Sequence, residues 1–305
     1  MGSLGIVPLP KNPVVLVGCS EMTDYQGLLQ AHQFAIIDQK NLAAQDWHEG
    51  LPLLPLETRV LKIPSNRLPA LLPLGPDAPY MRALLQNLEL AEDDPGLLTP
   101  CALLATAPDT KPERLQRHLA ECLVPYVGIG NRAYLRYFDP TVFPKLAHII
   151  PPNHWGYLYG PAHTWTIPFQ KEWIAFPEPN PEHRSRVWML SAEQWEHIEL
   201  IRYINRALEQ YESYLGRPWC NFTEYDKAAQ TAECAMLLAQ KRYSIKEKDD
   251  LQAFAEDSLF HGEHFHRHPT IQNFLRNLPP EGYGTASAEI TETIWAEVEN
   301  FARNN

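Results

Sequence analysis

Proline divides this chain. Its 28 prolines concentrate before Pro181, and from Ser191 onward they are few. Proline removes a backbone N–H and clashes with the preceding helical turn. The first part is therefore restricted to short strands, short helices and irregular connections, while the second is free to form long helices. The alternating prolines of residues 176–181, Phe-Pro-Glu-Pro-Asn-Pro, read as a stiff extended spacer. Two domains are expected within 305 residues: an α/β (α+β) lobe over 1–178 with a mixed sheet, and an all-α C-terminal lobe over 179–305.

The helical half carries explicit start and stop signals. Ser191, with Gln194 three residues later, is a capping box. Trp195, Ile198, Ile201, Ile204 and Leu208 follow at helical spacing, and Gly216-Arg217-Pro218 closes that helix. Further helices are expected over 224–243, 246–260, 269–278 and 286–302, packed as a small bundle.

In the first half, residues 14–17, 34–37 and 101–105 read as strands, and 81–90 and 110–122 as helices. No glycine-rich fingerprint follows Val17, so a dinucleotide site is not expected there. The stretch 124–176 organises the rest. A strand over 124–127, a turn through Gly128-Ile129-Gly130-Asn131 and a return strand over 133–138 form a hairpin signal, because glycine and asparagine accept positive φ. A regular return strand would place Tyr134, Arg136 and Phe138 on one face and Ala133, Leu135 and Tyr137 on the other. Asp139-Pro140 suits a helix start, with Pro144 breaking that helix at Phe143. Aromatic strands are expected over 154–159, 163–168 and 173–176.

Leu135-Arg136-Tyr137-Phe138-Asp139-Pro140, an apolar helix, then Gly156-Tyr157-Leu158-Tyr159-Gly160-Pro161 and Trp165 make up a segment that resembles the signature of the type VI secretion effector-adaptor family. The two aromatics between Arg136 and Asp139 stand in the reverse of the family's usual order. Phe-Ala-Ile-Ile-Asp at 34–38, Ala-Pro-Tyr at 78–80 and His118-Leu119 extend the resemblance over residues 34–176. It implies a non-enzymatic adaptor, or chaperone, that holds a secreted effector in the cytoplasm, shields its apolar segments and helps load it onto the VgrG spike protein. It implies no cofactor and no catalytic residue.

Bulk properties are compatible with this. A formal net charge of −11 disfavours nucleic acid and anionic lipid as partners. No apolar run approaches the length of a membrane span, and no basic and apolar leader is visible, so a cytoplasmic location is expected. Five scattered cysteines, none in a Cys-x-x-Cys pair, read as reduced thiols.

Two features compete with the adaptor reading. His261, His264, His266 and His268, with Glu263, form a cluster that a metal-dependent hydrolase would need, although their spacing is not that of a helical zinc protease. A solvated histidine-rich loop is the expectation there, with no metal. A plain oligomeric scaffold is the third reading. Arg136 and Asp139 suggest a catalytic pair, but an arginine and a capping carboxylate tying down a strand end explain them better. Trp155, Tyr157, Tyr159, Trp165 and Trp173 are either the core of a small sheet or a partner-binding surface, since tyrosine and tryptophan are enriched at interface hot spots.

Overall fold

A computed structural model describes residues 15–17, 24–42, 50–60, 62–91, 100–179, 182, 185 and 187–303. Contacts divide the chain into two compact units, 1–195 and 196–305. The first is a mixture of helix and strand; the second is all helix.

The described strands of the first unit are β1 (Val15–Val17), β2 (Phe34–Asp38), β3 (Leu54–Pro55), β4 (Pro69–Pro73), β5 (Pro100–Thr106), β6 (Tyr126–Val127), β7 (Asn131–Arg132), β8 (Ala162–Phe169), β9 (Glu172–Pro177) and β10 (Met189–Leu190). Seven of them form one sheet in the order β1-β9-β8-β5-β2-β4-β3, antiparallel at every pairing. A second sheet, β10-β6-β7, contains the parallel pairing, between β10 and β6.

Both faces of the large sheet are covered. That is why β5 is apolar without alternation and buried along its whole length. On one face, Tyr25, Leu28 and Leu29 of α1 (Tyr25–Gln30) and Leu84 and Leu88 of α3 (Met81–Ala91) pack with Ala35, Ile37 and Leu103. The short α2 (Gln39–Leu42) follows β2. On the other face lie α4 (Pro112–Cys122), α5 (Phe143–Ile149) and α6 (Pro152–Tyr159). There the Phe143 ring stacks on Trp165 with centroids 4.8 Å apart, and Trp155 and Phe176 close around it at 5.0 and 5.4 Å. Burying each of these rings contributes about 2 kcal/mol.

Several expected elements take another form. The run 154–159 is helix, not strand. Trp155, Leu158 and Tyr159 lie at helical spacing and are buried together, and Pro151-Pro152 presets the first turn. The alternation of Trp155, Tyr157 and Tyr159 imitated a strand. The return strand of the hairpin is limited to Asn131–Arg132. Residues 133–138 follow without a ladder, held by the Leu135 N–H donating to the Leu123 carbonyl at 2.9 Å. Tyr137 and Phe138 are consequently both buried, against the alternation of a regular strand. The helix expected at Pro140 begins at Phe143, with Pro144 in its first turn, where no N–H is needed. β3 and β4 lie in the proline-rich stretch that gave no strand signal; Pro69 and Pro73 sit at the ends of β4. Of the proposed spacer, Phe176 and Pro177 belong to β9, and Asn180 and Pro181 lie outside the described residues. Val14 and Cys19 also lie outside them; Cys101, Cys122, Cys220 and Cys234 are free thiols.

The capping box forms as expected. Gln194 N–H donates to Ser191 Oγ at 3.1 Å, and Ser191 N–H donates to Gln194 Oε1 at 2.8 Å. It opens α7 (Ala192–Leu215), whose buried stripe is Ile198, Ile201, Ile204 and Leu208. α8 (Phe222–Tyr243), α9 (Lys248–His261) and α10 (Pro269–Arg276) follow. The expected helix over 286–302 is two: α11 (Tyr283–Ser287) and α12 (Glu292–Arg303). Tyr283 is anchored in the bundle, its Oη donating to Asp257 Oδ2 at 2.6 Å, and the chain turns before α12.

Candidate functional site

Arg136 ties two distant pieces of the first unit together. Its Nη2 lies 3.1 Å from Asp38 Oδ2 at the end of β2 and 3.4 Å from Asp139 Oδ2. The guanidinium also sits 5.1 Å from the centroid of the Phe138 ring. Burial works against its charge, but the Asp139 and Asp38 carboxylates outweigh it and raise its pKa. Asp139 accepts from Thr141 N–H at 2.9 Å and Thr141 Oγ1 at 2.8 Å, closing the turn through Pro140 that leads into α5. Tyr137 is buried and donates to the Leu119 carbonyl at 2.8 Å. Beside them the Cys101 thiol is pushed up to about 12, mainly by burial and then by the Asp38 charge, which leaves it an inert packing group. Arg136, Tyr137, Phe138, Asp139 and Pro140 thus form a structural clasp at the turn that leads into α5, not at the end of the expected strand. Asp38, at the end of β2, completes it.

Burial divides the five candidate contact aromatics. Trp155, Tyr159, Trp165 and Trp173 are core side chains and present no surface to a partner. Their size and mutual ring packing supply the interior of the sheet faces described above. Tyr157 is different. It is half-buried, stacks on Trp188 with centroids 5.7 Å apart and planes 6° apart, and reaches a groove. Trp188 is anchored from below, Nε1 donating to the Cys122 carbonyl at 2.9 Å.

A groove on the first unit was not signalled by the sequence. It encloses about 660 Å³, between residues 57–60, α4, the β6–β7 hairpin, Tyr157 and residues 187–188. Arg59, Arg117 and Arg132 line it, together with Glu57 and Glu121. Val60, Tyr126 and Val187, also in its lining, are exposed. Beyond it, Ile129 at the hairpin turn and Met189 on β10 are exposed as well. Arg132 lies over the Tyr126 ring at 4.1 Å, so the hairpin presents a combined cationic and aromatic edge. The turn geometry behind that edge is the one the glycines announced: Gly128 and Gly130 have φ of 58° and 79°.

His118 and the Gly160 turn meet behind the groove. The His118 ring lies 5.3 Å from Tyr157, and a Cβ on Gly160 would fall 2.2 Å from His118 Cδ2. Gly160 also has φ of 54°, where a side chain is strained. A Gly160→Ala variant is expected to lose about 2 kcal/mol of stability and to quench or shift the fluorescence of Trp188, the tryptophan stacked on Tyr157. A thermal melt and an emission spectrum check both; an unchanged melting temperature would show that His118 yields freely.

The histidine-rich segment is not a solvated loop. Phe265 and His266 are buried, in a single 3₁₀ turn between α9 and α10. Three of its four histidine rings have separate neighbours. His261 stacks on Trp295 at 4.0 Å with Nδ1 3.0 Å from Glu299 Oε1, His266 Nδ1 hydrogen-bonds with Tyr243 Oη at 2.9 Å, and His268 lies 5.4 Å from the Phe301 ring. Glu263 accepts from Thr231 Oγ1 at 3.1 Å. Among the described residues, no group of three or more His, Cys, Asp or Glu side chains is placed to hold a metal ion. Among them, too, no helix is long and apolar enough to cross a membrane.

The chain matches no protein-family model, no curated protein and no solved structure. The likeness to secretion adaptors therefore rests on motif order within residues 34–176.

Proposed function

We propose that this chain is a non-enzymatic adaptor that binds a type VI secretion effector in the cytoplasm and helps load it onto the VgrG spike. The observation that carries the reading is the set of exposed apolar side chains that line one groove, Val60, Tyr126 and Val187, with Ile129 and Met189 exposed on the neighbouring hairpin turn and strand. Large apolar side chains gathered on one face favour a macromolecular partner, because covering them recovers roughly 25 cal/mol per Å². The motif clasp at Arg136 supports the same reading, since it fixes the chain that leaves the hairpin and so fixes the groove wall. A metal-dependent hydrolase would require His261, His266 and His268 to leave their present neighbours and turn toward a common centre.

Co-expression tests the proposal. An effector encoded beside this chain is expected to become soluble only in its presence, to co-purify with it and to reach VgrG as a ternary complex. An effector that is soluble and reaches the spike equally well without the chain would overturn the adaptor role.

A further inference from the structure

The groove has a charge character opposite to that of the whole chain. The sequence carries a net charge of −11, yet three arginines face two glutamates in the groove lining. Glu57 accepts from Ser65 Oγ at 2.6 Å, a neutral donor that leaves the carboxylate charge in place, so the lining carries a formal charge of +1. Arg59 and Arg117 are exposed and make no ion pair or hydrogen bond with any described residue. A guanidinium presents a planar fork of donors that matches a carboxylate, and two such forks on a groove wall are suited to acidic side chains. Next to them, half-buried Tyr157, backed by the buried Trp188 ring, offers an aromatic floor, and Val60, Tyr126 and Val187 an apolar rim.

We infer that the groove binds an apolar peptide segment bearing acidic side chains. This deepens the adaptor reading and rests on it for the source of the segment. The apolar side chains of the occupant cover the rim and the aromatic floor. Its carboxylates meet Arg59 and Arg117, and Arg132 closes the hairpin side. Ile129 at the hairpin turn and Met189, paired with Tyr126 across the sheet, add exposed apolar side chains outside the cavity lining, which suits a polypeptide better than a small anion. Opposite charge also steers encounter with a chain that otherwise repels acidic partners.

The test uses the full chain and two fluorescein-labelled amphipathic peptides of identical leucine pattern, one with glutamate at every polar position and one with lysine. Anisotropy titration is expected to show the glutamate peptide binding at least ~10-fold tighter, with affinity falling as salt rises. The Arg59→Glu/Arg117→Glu double variant, altered only at exposed positions, is expected to lose that preference. A Tyr126→Ser variant is expected to weaken the glutamate peptide while leaving the sign of the preference intact. No binding to the unaltered chain, equal binding of the two peptides, or an unaltered preference in the double variant would each overturn the inference. Inorganic phosphate displacing the peptide at low millimolar concentration would also overturn it, by reducing the groove to an anion site. Co-purification with an effector in the absence of peptide binding would sink the groove assignment and leave the adaptor reading standing. Peptide binding without effector capture would do the reverse.

Discussion

Arg136→Ala is expected to destabilise the first unit by about 3 kcal/mol, because it strands a carboxylate. Asp38 keeps only 7% of its side chain exposed, whereas Arg136 keeps 37%, so the loss falls mainly on the aspartate. Removing one partner of a buried pair costs about 3–5 kcal/mol, and the solvent reaching Arg136 places this pair at the low end. An Asp38→Asn/Arg136→Ala double variant leaves no unpaired charge and is expected to recover at least half of the loss. Asp139→Ala is expected to cost less, about 1 kcal/mol, since that carboxylate mainly caps a local turn. Urea unfolding of the full chain, followed by tryptophan emission, measures all three. A loss below about 0.5 kcal/mol for Arg136→Ala would place the clasp with ordinary surface ion pairs. The functional consequence lies downstream. Residues 133–138 have no strand ladder of their own, so loosening Arg136 frees the β6–β7 hairpin and with it Tyr126 and Arg132 in the groove.

What the sequence could express was local. The Arg136–Asp139 ion pair spans three residues, but it closes a turn, because the strand whose end it was expected to tie stops at Arg132. Its third member, Asp38, is 98 residues away from Arg136, and only the sheet brings it there. Ser191 and Gln194 form a motif complete within four residues, and their hydrogen bonds form as the motif requires. The groove is the opposite case. It draws on residues 57–60, 117–124, 126–132, Tyr157 and residues 187–188, and the parallel pairing of Met189 with Tyr126 is what sets its last wall beside the hairpin. No periodicity within any one of those stretches signals the others.

The misread elements share a cause: two patterns coexist in one run. Residues 154–159 offer aromatics at alternate positions and an apolar triplet at helical spacing, and the prolines at 151 and 152 decide for helix. In the run 69–73 the terminal prolines hid a strand, although proline at strand ends leaves the interior ladder intact. At the histidine segment, polar composition suggested solvent. Phe265 decided otherwise, because its burial against Phe254 and Trp295 draws the neighbouring imidazoles inward.

That inward packing makes the helical unit sensitive to pH in two opposing ways. The Asp257 carboxyl is pushed up from 3.8 to about 7, chiefly by burial, with Glu256 adding to it and the hydrogen bonds from Tyr283 and Ser287 opposing it. Folded Asp257 therefore keeps a proton that the unfolded chain has lost. Its contribution to stability is complete below about pH 4 and is lost as pH rises through about 7. His266 is pulled down from 6.5 to about 4, chiefly by burial, then by the charges of Arg242 and Arg267. Its contribution is complete above about pH 6.5 and is lost as pH falls through about 4. Between those limits the two slopes offset each other, and the unaltered chain is expected to show a shallow dependence. Asp257→Asn retains an acceptor for Tyr283 and removes one slope. Keeping that carboxylate ionised in the fold costs at most about 4 kcal/mol, and partial solvent access reduces the figure to about 2 kcal/mol. The variant is thus expected to be more stable than the unaltered chain by about 2 kcal/mol near pH 8, with the advantage gone near pH 4. Between the two, its stability falls on acidification more steeply than that of the parent, because only the His266 slope remains. Urea midpoints followed by far-ultraviolet circular dichroism across this range measure the difference. An advantage of equal size at both ends would mean that Asp257 does not exchange a proton on folding, and that its contact with Tyr283 is packing alone.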